Sequence, residues 1–305
     1  MNIRILSDLH LEHADFIVPP MVGDREATLI LAGDIAPICI LERPVIRDFF
    51  ERASRQFKHV IYVPGNHEYY GDDIITADQK AITFFKENNM ANIHYLNMGT
   101  VDIGNISIVG ACLWTSFDDG DEKAMEAAKQ INDYSNITMN GMGLTPEFIW
   151  ETHKNHLEYI IRVSQEKASD GQRVVVVGHH VPSKKATGIR HLALDNHGFC
   201  SDLDSAIIES LADLWVFGHN HDSCKIKIGN TWLISNQRGY AKIVNEQAWN
   251  EFKSNPDTLD QDDSYMQMQF KSLFHTEDNS FNPYLVFDIN TLEATKTLRP
   301  PRPGI

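Results

Sequence analysis

The sequence predicts an α/β fold in which two mixed β-sheets form a two-layer sandwich flanked by helices. Short apolar runs alternate with segments of helical spacing over residues 1–240, which is typical of α/β proteins. Residues 101–113 and 225–235 carry repeated strand patterns without long helical crossovers, so some neighbouring strands should pair antiparallel. The chain has 305 residues with 42% hydrophobic content, which is enough for one large domain with a real core.

Five predicted strands end in polar residues, and these ends carry most of the functional signal. The strands span residues 3–6, 28–32, 59–63, 174–177 and 214–217. In open α/β sheets, ligands bind in the crevice beyond the carboxyl ends of the strands. We therefore expect the five strand ends to converge on one cleft.

Four segments between the strands have the apolar spacing of amphipathic helices: residues 44–57, 74–88, 146–167 and 202–211. Residues 115–143 are predicted to be an insertion placed to cover the cleft. We assign residues 1–244 to the main domain and residues 245–305 to a C-terminal elaboration packed on it, with an acidic insertion at 245–282 and final strands. For that insertion, a subdomain, a wrapping tail and an oligomer contact all remain open.

The charge balance limits the partners. The chain has 27 basic and 42 acidic residues, a net charge of -15, which repels long nucleic acids. The four cysteines show no paired spacing, as expected for reduced thiols. Neither a signal-peptide pattern nor a membrane-spanning apolar run is present in the sequence. We therefore expect a cytoplasmic protein without membrane contact.

The strand ends supply two carboxylates, one amide and four imidazoles: Asp8, His10, Asp34, Asn66, His179, His219 and His221. This oxygen and nitrogen set suits first-row transition ions better than calcium or magnesium. It is too large for one tetrahedral ion, whereas two ions bridged by a carboxylate would use it fully. In extended backbone, Asp8 and His10 would face the same side, as would His219 and His221. Asp34 stands alone after its strand, where it would bridge the ions.

Each of these residues also has a purely structural explanation. Asp8 and Asp34 would be ordinary turn residues, and His179 and His180 a buried pair with satisfied hydrogen bonds. These explanations would have to coincide at all five strand ends. We therefore favour metal binding.

The strand ends resemble the signature of the calcineurin-like metallophosphoesterases, which is Asp-x-His, Gly-Asp, Gly-Asn-His-Asp/Glu, a histidine after an apolar strand, and Gly-His-x-His. In the same order, this chain has Asp8-Leu9-His10, Gly33-Asp34, Gly65-Asn66-His67-Glu68, Gly178-His179-His180 and Gly218-His219-Asn220-His221. Residues 236–240, Asn-Gln-Arg-Gly-Tyr, are similar to an Asn-Pro-Arg-Gly-Tyr segment of some bacterial members. The resemblance covers residues 1–240 and implies a four-layer αββα catalytic domain.

The resemblance also implies roles for the site residues. One ion would take Asp8, His10 and His221, the other Asn66, His179 and His219, and Asp34 would be shared. Manganese is the first expectation, with iron, zinc or nickel as alternatives. A hydroxide bridging the two ions would attack phosphorus, and His67 would protonate the leaving oxygen or stabilise the transition state. His180 and Glu68 would contact the substrate or support the ligands.

Departures from the family pattern narrow the substrate class. Protein phosphatases and diadenosine tetraphosphate hydrolases follow Gly-Asp with Asp-Arg-Gly, whose Asp orients the catalytic histidine, whereas this chain continues Ile35-Ala36-Pro37. His67 therefore needs another partner, for which Glu68 or a backbone carbonyl is the sequence-based suggestion. Lipid A pathway hydrolases usually carry Arg at the position of His67, so we do not expect this chain to act in that pathway. We expect a small-molecule phosphodiester or phosphomonoester as substrate.

Two other functions remain open. A nuclease acting on short or single-stranded nucleic acid would need a basic rim, which Lys184, Lys185 and Arg190 would begin to supply. A non-catalytic metal-binding scaffold, like the retromer subunit that resembles this fold, tends to have lost ligands. This chain keeps all seven presumed ligands and His67.

Overall fold

Two six-stranded mixed sheets form the centre of the computed structural model, which describes residues 1–187, 198–254, 272–278 and 280–295. The first sheet contains four parallel strands in chain order: β1 (Asn2–Leu6), β2 (Thr28–Ala32), β3 (His59–Val63) and β4 (Ile93–Tyr95). Their carboxyl ends therefore lie at the same edge. This edge carries the first three of the predicted polar strand ends.

The second sheet is built from β5 (Gly99–Ile103), β6 (Ile106–Gly110), β7 (Arg173–Val177), β8 (Leu214–Val216), β9 (Lys225–Ile228) and β10 (Thr231–Ile234). Its order is β9-β10-β8-β7-β6-β5. The four central strands are parallel, and β5 and β9 are antiparallel to their neighbours. The expected antiparallel pairs are therefore the two edges of this sheet.

Two further strands extend the first sheet beyond β1. These are β11 (Val286–Asp288), which is antiparallel to β1, and β12 (Glu293–Thr295), which is antiparallel to β11. The register pairs Ile3 with Phe287. Residues from the end of the described chain thus share a sheet with its first strand.

Helices cover the outer faces of both sheets. They are α1 (Pro44–Gln56), α2 (Ala77–Glu87), α3 (Glu122–Ala128), α4 (Pro146–Ser169), α5 (Asp204–Glu209) and α6 (Glu246–Ser254). The sequence favours these starts: Pro44 and Pro146 occupy first-turn positions, and the Thr145 side chain accepts a hydrogen bond from the Phe148 backbone N–H. No helix among the described residues is long and apolar enough to cross a membrane.

Apolar side chains form three layers, as alternation along each strand requires. Ile3 and Ile5 of β1 face Val175 and Leu214 between the two sheets. Phe50 of α1 belongs to the layer outside the first sheet, and Ile160 of α4 to that outside the second. The predicted fold, two mixed sheets flanked by helices, is confirmed.

The two predicted insertions contain short elements. Residues 115–143 form α3, the turns Phe117–Gly120 and Asp133–Asn136, and a ribbon of Thr138–Met139 with Met142–Gly143. In the C-terminal insertion, Phe274–His275 pairs with Lys242–Ile243. Residues 255–271 and 279 of that insertion lie outside the described residues.

Candidate metal centre

The structure brings the predicted ligands together at one edge of the two sheets. Asp8, Asp34 and Asn66 follow β1, β2 and β3, while His179 follows β7 and the last two histidines follow β8. Six of them form two compact groups: Asp8, His10 and His221 make one, and Asp34, His179 and His219 make the other. Within each group the ligand atoms lie within 4.8 Å of one another. Each residue of the two groups is buried.

The first group has its nitrogen and oxygen atoms directed at one point. The Nε2 atoms of His10 and His221 are 3.1 Å apart, and the His221 Nε2 lies 3.5 Å from Oδ1 of Asp8. Two imidazole lone pairs and a carboxylate at this spacing repel one another unless a proton or cation lies between them. The arrangement suits a cation.

Asp34 connects the first group to the second. Its Oδ1 lies 3.3 Å from Nε2 of His179, and its Oδ2 lies 3.8 Å from Nε2 of His10. The Nδ1 of His219 is 3.2 Å from the same His179 nitrogen. The two carboxylate oxygens of Asp34 therefore face different groups, which is the placement of a bridging ligand.

Left-handed backbone, rather than extended backbone, aims these side chains. The φ angles are 53° at Asp8, 45° at His10, 54° at Asp34, 80° at His219 and 52° at His221. The expectation that each pair faces one side because it continues an extended strand is wrong. The chain turns sharply at each strand end, and the strain is held by the surrounding fold, which is common at functional sites.

Two glycines next to the ligands are required by close packing. A Cβ at Gly33, whose φ is 84°, would collide with the His179 ring. A Cβ at Gly65 would collide with the carboxylate of Asp34 and would lie 2.7 Å from Nε2 of His179. The glycines of the Gly-Asp and Gly-Asn-His motifs thus let the ligands approach the backbone.

Hydrogen bonds at the far side of three imidazoles direct their other nitrogen into the centre. The Nδ1 of His179 lies 2.8 Å from the Ala32 carbonyl oxygen. The Nδ1 of His10 is 3.0 Å from Glu12, and that of His221 is 2.6 Å from Glu277. Since these partners only accept, each Nδ1 donates, and Nε2 is the nitrogen left to bind a cation once it carries no proton.

Three buried atoms of the predicted ligands have no hydrogen-bond partner among the described residues. They are Oδ2 of Asp8, Oδ1 of Asn66 and Nε2 of His219. Buried polar atoms without partners are costly in a folded protein. The amide of Asn66 is oriented because its Nδ2 donates to Asp133 at 2.8 Å, which directs Oδ1 elsewhere. The residues present therefore fit bound cations.

The electrostatics favour charged Asp34 and neutral His219. Burial alone would raise the pKa of Asp34, but the imidazoles around it, first that of His179, hold this pKa well below its usual range. Burial alone would lower the pKa of His179, but Asp34 raises it to about 10. Burial, with the neighbouring His180 and His179, holds the pKa of His219 well below its usual range.

His67 lies beside the first group, with its ring against that of His10. Its Nδ1 is 3.3 Å from Oε1 of Glu12, its Nε2 is 3.4 Å from the Tyr240 hydroxyl, and its ring stacks on Tyr70 with centroids 4.1 Å apart. Burial acts to lower the pKa of His67, but Asp34, Glu12 and Asp133 outweigh it and raise it to about 9.

Glu68 does not contact His67, so the suggested pairing of these two residues is wrong. Its carboxylate accepts hydrogen bonds from the backbone N–H groups of Asp34, Ile35 and Gly65 and from the Tyr62 hydroxyl. It is fully buried, which leaves no surface for a substrate. Glu68 instead holds the loop that carries Asp34.

His180 is also buried, and it packs against the second group. Its ring centroid is 4.1 Å from that of His219 and 5.0 Å from that of Trp114, which is itself a core residue. Its Nδ1 lies 3.9 Å from Sγ of Cys112. Burial lowers the pKa of His180 well below its usual range, so the ring is neutral.

The segment 236–240 ties the two ligand loops together. The side-chain amide oxygen of Gln237 accepts the His221 backbone N–H at 2.6 Å. The Arg238 guanidinium donates to the carbonyl oxygens of Leu9 at 3.0 Å and Ala14 at 2.9 Å, one on each side of His10. Arg238, which this segment shares with the bacterial family segment, therefore holds the loop that carries His10.

Three acidic residues at the centre were missed in the sequence: Glu12, Asp133 and Glu277. Glu12 continues the polar alternation of Asp8 and His10, which was its one local signal. Asp133 and Glu277 had no such local signal. Asp133 lies in the insertion that was expected at the cleft, so that insertion does reach the centre.

Comparisons with known proteins give the family and the fold of this chain. A model of the calcineurin-like phosphoesterases matches residues 1–223. The uncharacterized protein L509 of Acanthamoeba polyphaga mimivirus is 26% identical over 318 residues, which cover 95% of this chain and 97% of that protein. The phosphopantetheinyl hydrolase PptH from Mycobacterium tuberculosis has a similar fold, with a TM-score of 0.56 and 18% identity over 83% of this chain and 92% of that chain.

Proposed function

Because the chain belongs to the calcineurin-like phosphoesterase family, we propose that it hydrolyses a small phosphoester, preferably a phosphodiester, at a centre of two divalent cations. The observation that carries the proposal is the position of Asp34. Its two carboxylate oxygens face two separate groups of buried ligand atoms. A single structural ion would not need both groups.

The chain's own residues would divide the two cations between them. Asp8, His10 and His221 would hold one, and Asn66, His179 and His219 the other, with Asp34 shared. When bound, the cations would ease deprotonation of water and neutralise charge on the phosphoryl oxygens. We propose manganese because the mixed oxygen and nitrogen donors suit it, with iron, zinc and nickel as alternatives.

His67 would serve as the proton donor to the leaving oxygen. Nε2 is the ring nitrogen nearer the half-exposed Tyr240, at 3.4 Å from its hydroxyl. Glu12 holds the other nitrogen. A proton on Nε2 would therefore point away from Glu12, where a leaving oxygen would accept it.

The surface charges favour a small substrate over a nucleic acid. Lys184 pairs with Asp118 at 3.0 Å, and Lys185 pairs with Asp204 at 2.6 Å, so neither is a free cation. Arg190, the third member of the rim proposed for a nuclease, lies outside the described residues. With a net charge of -15, the protein also repels polyanions.

The cellular setting is part of the proposal. The four cysteines are all unpaired, and three of them are at least partly buried, which suits a reducing compartment such as the cytoplasm. A small phosphoester would be the main partner, with no membrane and no long nucleic acid involved. Self-association through the C-terminal insertion stays a prediction.

The test is hydrolysis of bis-p-nitrophenyl phosphate and p-nitrophenyl phosphate with added manganese, beside metal content. A phosphopantetheinyl ester belongs in a wider panel because PptH, which has a similar fold, is named for that group. We expect the diester to be the faster of the two aryl substrates. Bound metal without turnover of any ester would favour the scaffold instead.

The His67→Ala variant tests the assignment of the proton donor. We expect it to keep its metal content and to lose about 100-fold to 10,000-fold in kcat, the usual contribution of general acid catalysis. His94→Ala is the matched control, because its ring contacts His59 and lies outside the ligand groups. Full activity of His67→Ala would remove this histidine from the mechanism.

A further inference from the structure

Glu12 lies between two histidines that have different tasks. Its Oε1 is 3.0 Å from Nδ1 of His10 and 3.3 Å from Nδ1 of His67. The two rings meet edge to face with centroids 4.5 Å apart. The Glu12 side chain is 14% exposed, so water does little to screen these contacts.

We propose that Glu12 is a positioning residue that orients both the metal ligand His10 and the proton donor His67 through one carboxylate oxygen. The inference rests on the proposed function and deepens it. A carboxylate only accepts hydrogen bonds, so each Nδ1 must donate to it. The Nε2 of His10 is then left as a lone pair facing His221 at 3.1 Å, and the Nε2 of His67 faces Tyr240.

The backbone around Glu12 is fixed well enough for such a role. His10 and Leu11 donate their backbone N–H groups to the carbonyl oxygens of Asp34 and Ile35 at 3.0 and 2.9 Å. Arg238, which is fully buried, binds carbonyl oxygens on either side of Glu12. A side chain on a segment held at both ends loses little entropy when it positions a neighbour.

The other acidic residue near His67 in sequence cannot take this role. Both oxygens of Glu68 are engaged by backbone N–H groups and by Tyr62. The residues after Asp34 are the apolar Ile35 and Ala36, both buried. Among the described residues, Glu12 is the carboxylate placed within hydrogen-bond distance of the His67 ring.

The first experiment measures leaving-group dependence. Glu12→Ala is assayed on aryl phosphodiesters whose phenols range from p-nitrophenol to phenol. A misoriented proton donor matters most for the poorer leaving group. We expect kcat to fall about 10-fold to 100-fold, most for phenol, with KM nearly unchanged. Glu12→Gln, which keeps an acceptor oxygen, should recover part of the loss.

A double-mutant comparison separates positioning from general damage. In a His67→Ala background, the leaving-group slope should already be steep, and Glu12→Ala should not steepen it further. Glu277→Ala is the matched control, because Glu277 contacts His221 at 2.6 Å but is not placed against His67. This control should weaken metal binding without changing the leaving-group slope. Two results would overturn the proposal. One is a wild-type leaving-group slope in Glu12→Ala, and the other is a slope that Glu12→Ala steepens further in the His67→Ala background.

Metal titration and NMR give readouts that do not depend on turnover. Calorimetry should show two manganese equivalents in the wild-type protein and in Glu12→Ala. In Glu12→Ala, one of them should bind about tenfold more weakly. Loss of a whole equivalent would instead make Glu12 a ligand, in the group it forms with His10 and His67. Nitrogen-15 NMR of the imidazoles should show an Nδ1 proton on His67 that becomes labile in Glu12→Ala.

The proposed function and the positioning role fail in different ways. If the wild-type protein binds two ions and hydrolyses no ester, the proposed function is wrong, while the NMR comparison still decides the role of Glu12. If the wild-type protein is active and Glu12→Ala matches it in slope, metal affinity and His67 proton lability, the positioning role is wrong. Circular dichroism of each variant verifies that it is folded.

Discussion

The two halves of the candidate centre are supported by different chemistry. On one side, His10 and His221 each place Nδ1 against a carboxylate, that of Glu12 and that of Glu277. On the other side, His179 is supported by the backbone carbonyl of Ala32. A carboxylate behind an imidazole raises its basicity and adds negative charge near the ion, and a backbone carbonyl does so less.

This difference predicts that the two proposed cations would not be held equally. The side with the carboxylates should bind its ion more tightly. It also depends on residues far apart along the chain, because Glu277 lies beyond residues 1–223, which match the family model. The predicted C-terminal elaboration thus reaches the candidate centre through Glu277.

Asp34→Asn should have the largest effect, because it removes the charge that the two sides share. We expect metal binding to fail on both sides and kcat/KM to fall by at least about 1,000-fold, on the scale of losing a central catalytic group. Metal content by mass spectrometry and turnover of the diester are measured together. Asp48→Asn, on the surface of α1, is the control. A fully loaded, active Asp34→Asn protein would contradict the shared-ligand assignment.

Glu277→Gln should sharpen the comparison by weakening only the carboxylate-supported side. We expect the tighter of two binding events in a manganese titration to weaken about 10-fold to 100-fold, as is usual when the group behind a metal ligand is changed. The weaker event should keep its affinity. Equal weakening of both events would show that the two sides are not independent.

Asp133→Ala should have the smallest effect of the three variants, and it should weaken binding of the other cation. Asp133 orients the amide of Asn66 through a 2.8 Å hydrogen bond, and losing it should weaken the second event about tenfold, since a hydrogen bond to a charged group contributes about 1.5–3 kcal/mol. Tyr70→Phe is the control, because it removes only the other donor to the same oxygen. An unchanged second event in Asp133→Ala would remove Asn66 from the ligand set.

Local patterns explain why much of this could be predicted. The apolar runs of β1 and β2 and the polar residues directly after them are properties of short segments, so Asp8 and Asp34 could be assigned from the sequence. The left-handed backbone at His10 and His219 could not be, because tertiary contacts hold it. Glu277 could not be distinguished by sequence from the other acidic residues, 42 in all, because only folding brings it to His221.

Anomalous X-ray diffraction from crystals grown with manganese tests the central claim most directly. Two anomalous peaks are predicted, one among Asp8, His10 and His221 and one among Asn66, His179 and His219, with the carboxylate of Asp34 between them. A single peak, or two peaks that Asp34 does not contact, would contradict the account.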